Sequence, residues 1–235
     1  MILASNGIIA GKGVVTSLLN TNLVSAYNFD NNLNDSFGTN NGIGFGGINY
    51  STGIINQSVG FNGANAYVEL PNASGQFNFT DDFSISLWVK PSSLASFHFL
   101  FINYKTSGGS GGGYYLNYDT GSNSLQFGIG NGTSTSIITT NQSPTVNVWT
   151  HYVITRKKAT ITKIYRNGNL ITPTSSTNQT LDAGYVAGSI LSLGADLGNY
   201  KYTGWMDSLD FWTKELTSTE VTELYNSGNA KQYPF

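Results

Sequence analysis

Acidic residues are scarce in this chain, 13 in 235, so their spacing poses the first question about chemistry. Asp207-Ser208-Leu209-Asp210 is the nearest approach to a catalytic carboxylate pair. Retaining glycoside hydrolysis needs two carboxyl groups about 5–5.5 Å apart, and inverting hydrolysis needs them farther apart with room for water. A spacing of three puts the two aspartates on opposite faces of a strand. Glu69 stands alone, and Glu215, Glu220 and Glu223 fall in or beside one helical stretch. With no cysteine there is no thiol nucleophile, thiolate metal site or disulfide. His98 and His151 are far apart in sequence, no Ser/His/Asp arrangement can be argued, and both histidines read as structural. The chain is therefore expected not to be an enzyme.

Two binding chemistries have better carriers. "YNFDNNLNDSFGTNNG", Tyr27 to Gly42, crowds Asp30 and Asp35 among six asparagines. Ca²⁺ takes about six to eight oxygens from carboxylates, amides and backbone carbonyls, which such a loop can supply. The stretch lacks the Gly and terminal Glu of an EF-hand loop. The competing reading is that its aspartates accept backbone N–H bonds at strand ends. Sugar recognition, in turn, needs an exposed aromatic face beside polar hydrogen-bonding groups. Tyr104, Tyr114, Tyr115 and Tyr118 flank a Gly-rich stretch, and Tyr200 and Tyr202 lie in "DLGNYKYTGW". From these, Tyr114, Asp196, Tyr200 and Tyr202 are the expected ligand-binding residues. The four tryptophans sit in strand-like stretches and read as core.

The elements that must position these groups are short strands separated by turn signals. "FSISLWVKP" alternates Phe83, Ile85, Leu87 and Val89 against Ser84, Ser86, Trp88 and Lys90, a strand with one face on a core. "SVGFNGANAYVEL" gives two short strands around Asn62–Gly63, and "GYYLNYDTGSNSLQFGIGNG" a hairpin with arms Tyr115 to Tyr118 and Leu125 to Ile129. In "ITKIYRNGNLI", Asn167–Gly168 suits a type I′ turn, with "WTHYVITRK" as the neighbouring strand. "LTSTEVTELYNSG" is the one helix, with Thr217 and Glu220 as a capping box and Gly228 past its end. "TSGGSGGG", Thr106 to Gly113, reads as a flexible hairpin tip and lacks the closing Gly-Lys-Ser/Thr of a phosphate loop.

Taken in order, "YNFDNNLNDSFGTNNG", "SVGFNGANAYVEL", "FSISLWVKP", "LQFGIG", "VWTHYVITRK", "TKIYRNGNLI", "LSLGAD" and "YTGWMDSLDFWTKELTSTEVTELYNSG" resemble the laminin-G-like domains of the concanavalin A-like lectin/glucanase superfamily. The resemblance covers roughly Leu23 to Gly228. It implies an all-β jelly-roll sandwich of two antiparallel sheets with one short C-terminal helix. The superfamily's glucanases carry Glu-x-Asp-x-x-Glu on one strand, and nothing here matches. The resemblance also implies a structural Ca²⁺ joining the first Asp loop to the aspartate of "GWMD", with Asp30, Asp35 and Asp207 as ligands.

Composition narrows the setting. A net charge of −2 gives no basic footprint for nucleic acid, and no apolar run reaches the roughly 18 residues of a membrane span. Charged residues are only 10% of the chain, which leaves solubility to Asn, Ser, Thr and Gly. Residues 1–22, with Ile2, Leu3, Ile8, Ile9, Val14 and Val15, read as an apolar arm that docks a 23–235 jelly-roll domain onto a larger assembly. The start has no cationic segment typical of a secretory signal. The expectation is a non-enzymatic lectin-like module on a virion surface: a phage head fibre, decoration protein or tail adhesin. It would bind a cell-surface glycan, contact other virion proteins through the arm, and form a homo-oligomer. The alternatives are a purely structural capsid or tail component, or an extracellular cell-surface adhesin.

Overall fold

The computed structural model describes residues 17–107, 110–177, 180–184, 190–196 and 199–235. Its strands, in chain order, begin with β1 (Leu23–Tyr27), β2 (Ile43–Phe45), β3 (Asn49–Thr52), β4 (Gln57–Asn62), β5 (Tyr67–Leu70) and β6 (Phe83–Pro91). They continue with β7 (His98–Ser107), β8 (Ser110–Asp119), β9 (Ser124–Asn131), β10 (Thr135–Thr140) and β11 (Thr150–Arg156). The last are β12 (Lys163–Arg166), β13 (Asn169–Leu170), β14 (Ser175–Ser176), β15 (Leu191–Leu193) and β16 (Thr203–Trp212), before helix α1 (Ser218–Tyr225). They form two antiparallel sheets of eight strands. The first runs β13-β12-β11-β6-β16-β4-β3, and β1 also pairs with β16. The second runs β14-β10-β9-β8-β7-β15-β5-β2. This is the expected jelly-roll sandwich with one short helix.

Period-two alternation builds the layer between the sheets. Phe83, Ile85, Leu87 and Val89 of β6 meet Leu116, Leu125, Phe127 and Ile129 of the second sheet in one buried cluster. The other face of β6 is buried too, which its serines conceal in the sequence. Ser84, Ser86 and Trp88 lie under a second cluster made of Leu19, Leu23, Val153, Trp212, Leu216, Val221 and Leu224. Both chain ends build that cover. Trp212 donates its indole N–H to the Leu19 carbonyl at 2.6 Å, and its ring stacks on Phe235. The domain therefore starts before Leu23: Leu18–Asn20 form a turn of 3-10 helix and Leu19 is fully buried, so residues 17–22 are not an arm. Residues 1–16, with the remaining apolar positions assigned to the arm, lie outside the described residues.

Local expectations are met at several points. Asn167 and Gly168 both adopt positive φ in the β12–β13 hairpin. Thr217 and Glu220 cap α1 reciprocally, although the left-handed residue ending the helix is Asn226, two positions before Gly228. The two short strands expected around Asn62–Gly63 are β4 and β5; they enter different sheets, so that turn is a crossover between layers. One reading changes. Most of "TSGGSGGG" continues the β7–β8 ladder, in register up to Ser107 against Ser110, with residues 108–109 outside the described set. Glycine lacks a side chain but keeps both backbone hydrogen-bonding groups, and the ladder needs only those.

Candidate functional site

Asp30 and Asp207 meet where the first sheet changes partners. Along one flank of β16, residues 203–206 pair with β4 and residues 209–212 pair with β1. Asp207 and Ser208 occupy the junction, and Ser208 takes φ +47° at the accompanying bulge. Loop 53–57 fills the space. Asp207 Oδ2 accepts the N–H groups of Ile54 at 2.9 Å and Ile55 at 3.3 Å. Asp30 Oδ1 accepts Gln57 N–H at 3.0 Å, and its Oδ2 accepts the Asn56 amide at 3.2 Å. Gly53 is required here, since a Cβ would come within 2.3 Å of Asp207 Oδ2. Burial pushes the Asp207 carboxyl up to about 7, against the pull of its N–H partners, and nearby Asp30 adds to the rise. Asp210 is raised further by its own burial, then by Asp207 and Asp35.

Asp35 stands apart from that junction. Its carboxylate accepts five N–H groups, from Ala26, Phe37, Gly38 and, twice, Asn40, at 2.8–3.3 Å. It ties the turn after β1 together and has no oxygen to spare for a shared ion. Among the described residues, no group of three or more His, Cys, Asp or Glu side chains is placed to hold a metal. The expected ligand set of Asp30, Asp35 and Asp207 is therefore not assembled. Asp30 and Asp207 remain as a pair of crowded carboxylates with no lysine or arginine bonded to either. Asp35 does not belong to that pair.

The sugar-binding expectation divides in two. Tyr114 and Tyr202 are corrections. Tyr114 is 1% exposed, stacks on Phe79 and Phe83, and donates its hydroxyl to the Phe77 carbonyl at 3.0 Å. Tyr202 is fully buried, donates to the Trp205 carbonyl at 3.2 Å and packs against Phe61. Neither ring can reach a ligand. Tyr200 is different, being 55% exposed on a backbone of φ +51°. Left-handed backbone disfavours an aromatic residue, so the surroundings hold it there. Asp196 and Asn199 exchange both backbone hydrogen bonds to close the turn, and Phe99 N–H is donated to the Tyr200 carbonyl at 3.2 Å. Asp196 is half-buried one turn away, its carboxyl raised by burial.

Phe97 and Phe99 complete this patch, and the sequence reading missed both. Phe97 and Phe99 set their ring edges against Tyr200 at 5.2 and 5.9 Å between centroids. Phenylalanine near a strand start reads as core, so only alternation could have flagged Phe99: His98 points inward, against Tyr118 and Tyr202. The exposed Tyr200 ring and the half-buried Phe97, backed by the buried Phe99 and near Asp196, have the character a sugar ring needs, an apolar face with a polar group at its rim. Both histidines are structural. Burial lowers His98 to about 4 and His151 to about 3; His151 bonds Ser86 at 2.8 Å and packs beside Trp88 and Tyr225. No described helix is long and apolar enough to cross a membrane.

Two facing eight-stranded antiparallel sheets give the jelly-roll sandwich of concanavalin A-like folds. Residues 62–222 match the Laminin_G_3 model of the concanavalin A-like lectin/glucanases superfamily, and the chain belongs to that family. No curated protein sequence matches it. Among solved structures it resembles domain 4 of AbnA, a GH43 extracellular arabinanase from Geobacillus stearothermophilus, in complex with arabinotriose. Identity is 23% and the TM-score 0.66, over 89% of this chain and 98% of that one. It also resembles the binding domain of botulinum neurotoxin DC in complex with SialylT (19% identity, TM-score 0.67, 88% of this chain and 52% of that one). The binding domain of Paraclostridial Mosquitocidal Protein 1 is similar at 20% identity and TM-score 0.67, over 88% and 52%. The chain thus spans about half the length of these two toxin chains. At such identities the likeness is one of fold.

Proposed function

We propose that this protein is a carbohydrate-binding module without catalytic activity, recognising a cell-surface glycan through Tyr200, Phe97 and Phe99 with Asp196 at the rim. The observation that carries the proposal is the Tyr200 ring, held half-exposed on strained backbone and braced edge-on by two phenylalanines. Strain of this kind persists where the surrounding structure imposes it, and it clusters at functional sites. Support for a reading without catalysis comes from the acidic residues nearest to a pair: Asp207 and Asp210 are buried, and Asp35 is taken up by five N–H groups. A glycan array followed by calorimetry tests the reading. Tyr200→Ala is expected to weaken glycan binding by about thirtyfold, as for an aromatic hot spot, with an unchanged melting temperature. Wild-type protein silent on the array, or Tyr200→Ala binding as wild type, refutes it.

The proposal extends to a structural Ca²⁺ held by Asp30 and Asp207. Excess EGTA is expected to lower the melting temperature by several degrees, and added Ca²⁺ to restore it; an unmoved transition removes the ion. The setting we propose is a virion surface, with other virion proteins or further copies of the chain engaged through residues 1–16. Its support is compositional: 10% charged residues, no cysteine, and an apolar segment ahead of the domain. Deleting residues 1–16, and not 17–22, is expected to abolish incorporation into particles while glycan affinity stays intact. Normal incorporation of the truncated chain rejects that role.

A further inference from the structure

We propose that the outward face of the first sheet carries a second sugar site, built on Trp205 and Lys90, which takes an acidic sugar, a uronic or sialic acid residue of a glycan. It is separate from the Tyr200 patch and goes beyond that reading. Trp88 and Trp212 are buried, as expected of strand tryptophans, but Trp149 and Trp205 are only half-buried and belong to neither hydrophobic cluster. Val89 and Met206 point into the core, so their chain neighbours Lys90 and Trp205 point outward. These two stand directly opposite each other on β6 and β16, about 4.5–5.5 Å apart at Cβ. On its other side Trp205 pairs with Gly60 of β4, and Gly60 pairs with Asn49 of β3. One row across the sheet therefore runs Lys90, Trp205, Gly60, Asn49.

Gly60 sets the attitude of the ring. A Cβ there would fall 2.3 Å from Trp205 Cζ3 and 2.2 Å from Asn49 Oδ1, so the indole lies down over the β4 backbone with the exposed Asn49 amide beside it. One ring face rests on the sheet and the other is turned outward, the arrangement on which a sugar ring stacks. The charge is an independent observation. Arg156, Lys158, Lys163, Lys214 and Lys231 each have a carboxylate partner, whereas Lys90 has none among the described residues. Its ammonium is held instead over the Trp149 ring, 6.0 Å from the centre. Such a contact positions a cation and leaves its charge in place. A positioned cation beside an open indole face selects a sugar that brings its own carboxylate. The sugar ring covers Trp205, its carboxylate meets Lys90, and a hydroxyl on the far side reaches Asn49. A neutral sugar uses the indole and leaves Lys90 unanswered.

Calorimetry on the full chain tests this with oligogalacturonate and sialyllactose as the two acids, and with their methyl esters, which keep the sugars and remove the charge. Wild type is expected to bind at least one acid and to prefer it to its ester about tenfold at low salt, a margin that shrinks as salt is added. Lys90→Gln is expected to erase the preference with an unchanged melting temperature. Trp205→Ala should weaken binding of acid and ester alike by about thirtyfold. Lys90→Gln removes the charge alone, so it decides the matter even where Trp205→Ala fails to fold. Tyr200→Ala should bind the acid as wild type does, so each site is read from its own variant. Equal affinity for acid and ester, a Lys90→Gln variant that keeps the preference, or acid binding lost in Tyr200→Ala overturns the inference and leaves the Tyr200 reading standing. Wild-type protein that binds neither acid overturns it as well. A dimer that Trp205→Ala dissolves, with no acid bound, assigns the face to a second copy of the chain and also overturns it.

Discussion

Asp35→Ala is expected to destabilise the fold by about 3 kcal/mol, seen as a melting-temperature loss of roughly 6–12 °C for a domain of this size. The substitution strands five N–H groups that now share one carboxylate. Ala26 N–H is the costliest of them, since Ala26 is fully buried in β1 and water cannot replace the lost acceptor. Gly38 makes the turn specific to aspartate: a Cβ there would lie 2.6 Å from Asp35 Oδ2, so the backbone comes closer than any side chain would permit. Asp35→Asn keeps one oxygen and should lose about half as much. Differential scanning calorimetry in EGTA checks both variants. A loss for Asp35→Ala that disappears when Ca²⁺ is removed would show the residue acting through an ion, against the geometry.

Asp210→Asn is expected to do the opposite and stabilise the protein clearly at pH 8 and by little at pH 4. Asp210 is 1% exposed, lies opposite Ser86, and has no hydrogen-bond partner on either oxygen. Its carboxyl and that of Asp207 are both raised, Asp207 to about 7 from 3.8. The folded protein therefore keeps protons that the unfolded chain has released. The contribution of these two groups is fully present below pH 3.8 and is lost as pH rises, the Asp207 share by about pH 7. Urea unfolding in EGTA from pH 4 to 8 should show this decline in wild type and a shallower one in Asp210→Asn. Parallel curves would remove Asp210 as its source.

The two predictions separate roles that look alike in sequence. Asp35 is an anion with more donors than it can be spared from, and Asp210 is a carboxyl with none. Retaining a buried group that costs stability has a use only if something outside the bare chain compensates it. For the Asp207–Asp210 region the proposed compensator is a cation.

Features under local physical control were legible from the residues alone. Period-two alternation marked β6, Asn167–Gly168 could form only a tight hairpin, and Thr217 with Glu220 announced the start of α1. Their order along the chain sufficed for the sandwich. It could not tell the tyrosines apart. "YYLNY" places aromatic rings on both faces of β8, so Tyr114 and Tyr115 are equivalent until one face meets the other sheet. Tyr200 and Tyr202 differ only in which of them follows the turn into the core. Nor could it separate Asp35 from Asp30 and Asp207. A carboxylate's role depends on which amides the closed fold brings to it, and those of loop 53–57 lie about 150 residues from Asp207 in the chain. Exposure and polar pairing are properties of the packed layers, and they are settled when the two sheets close on each other.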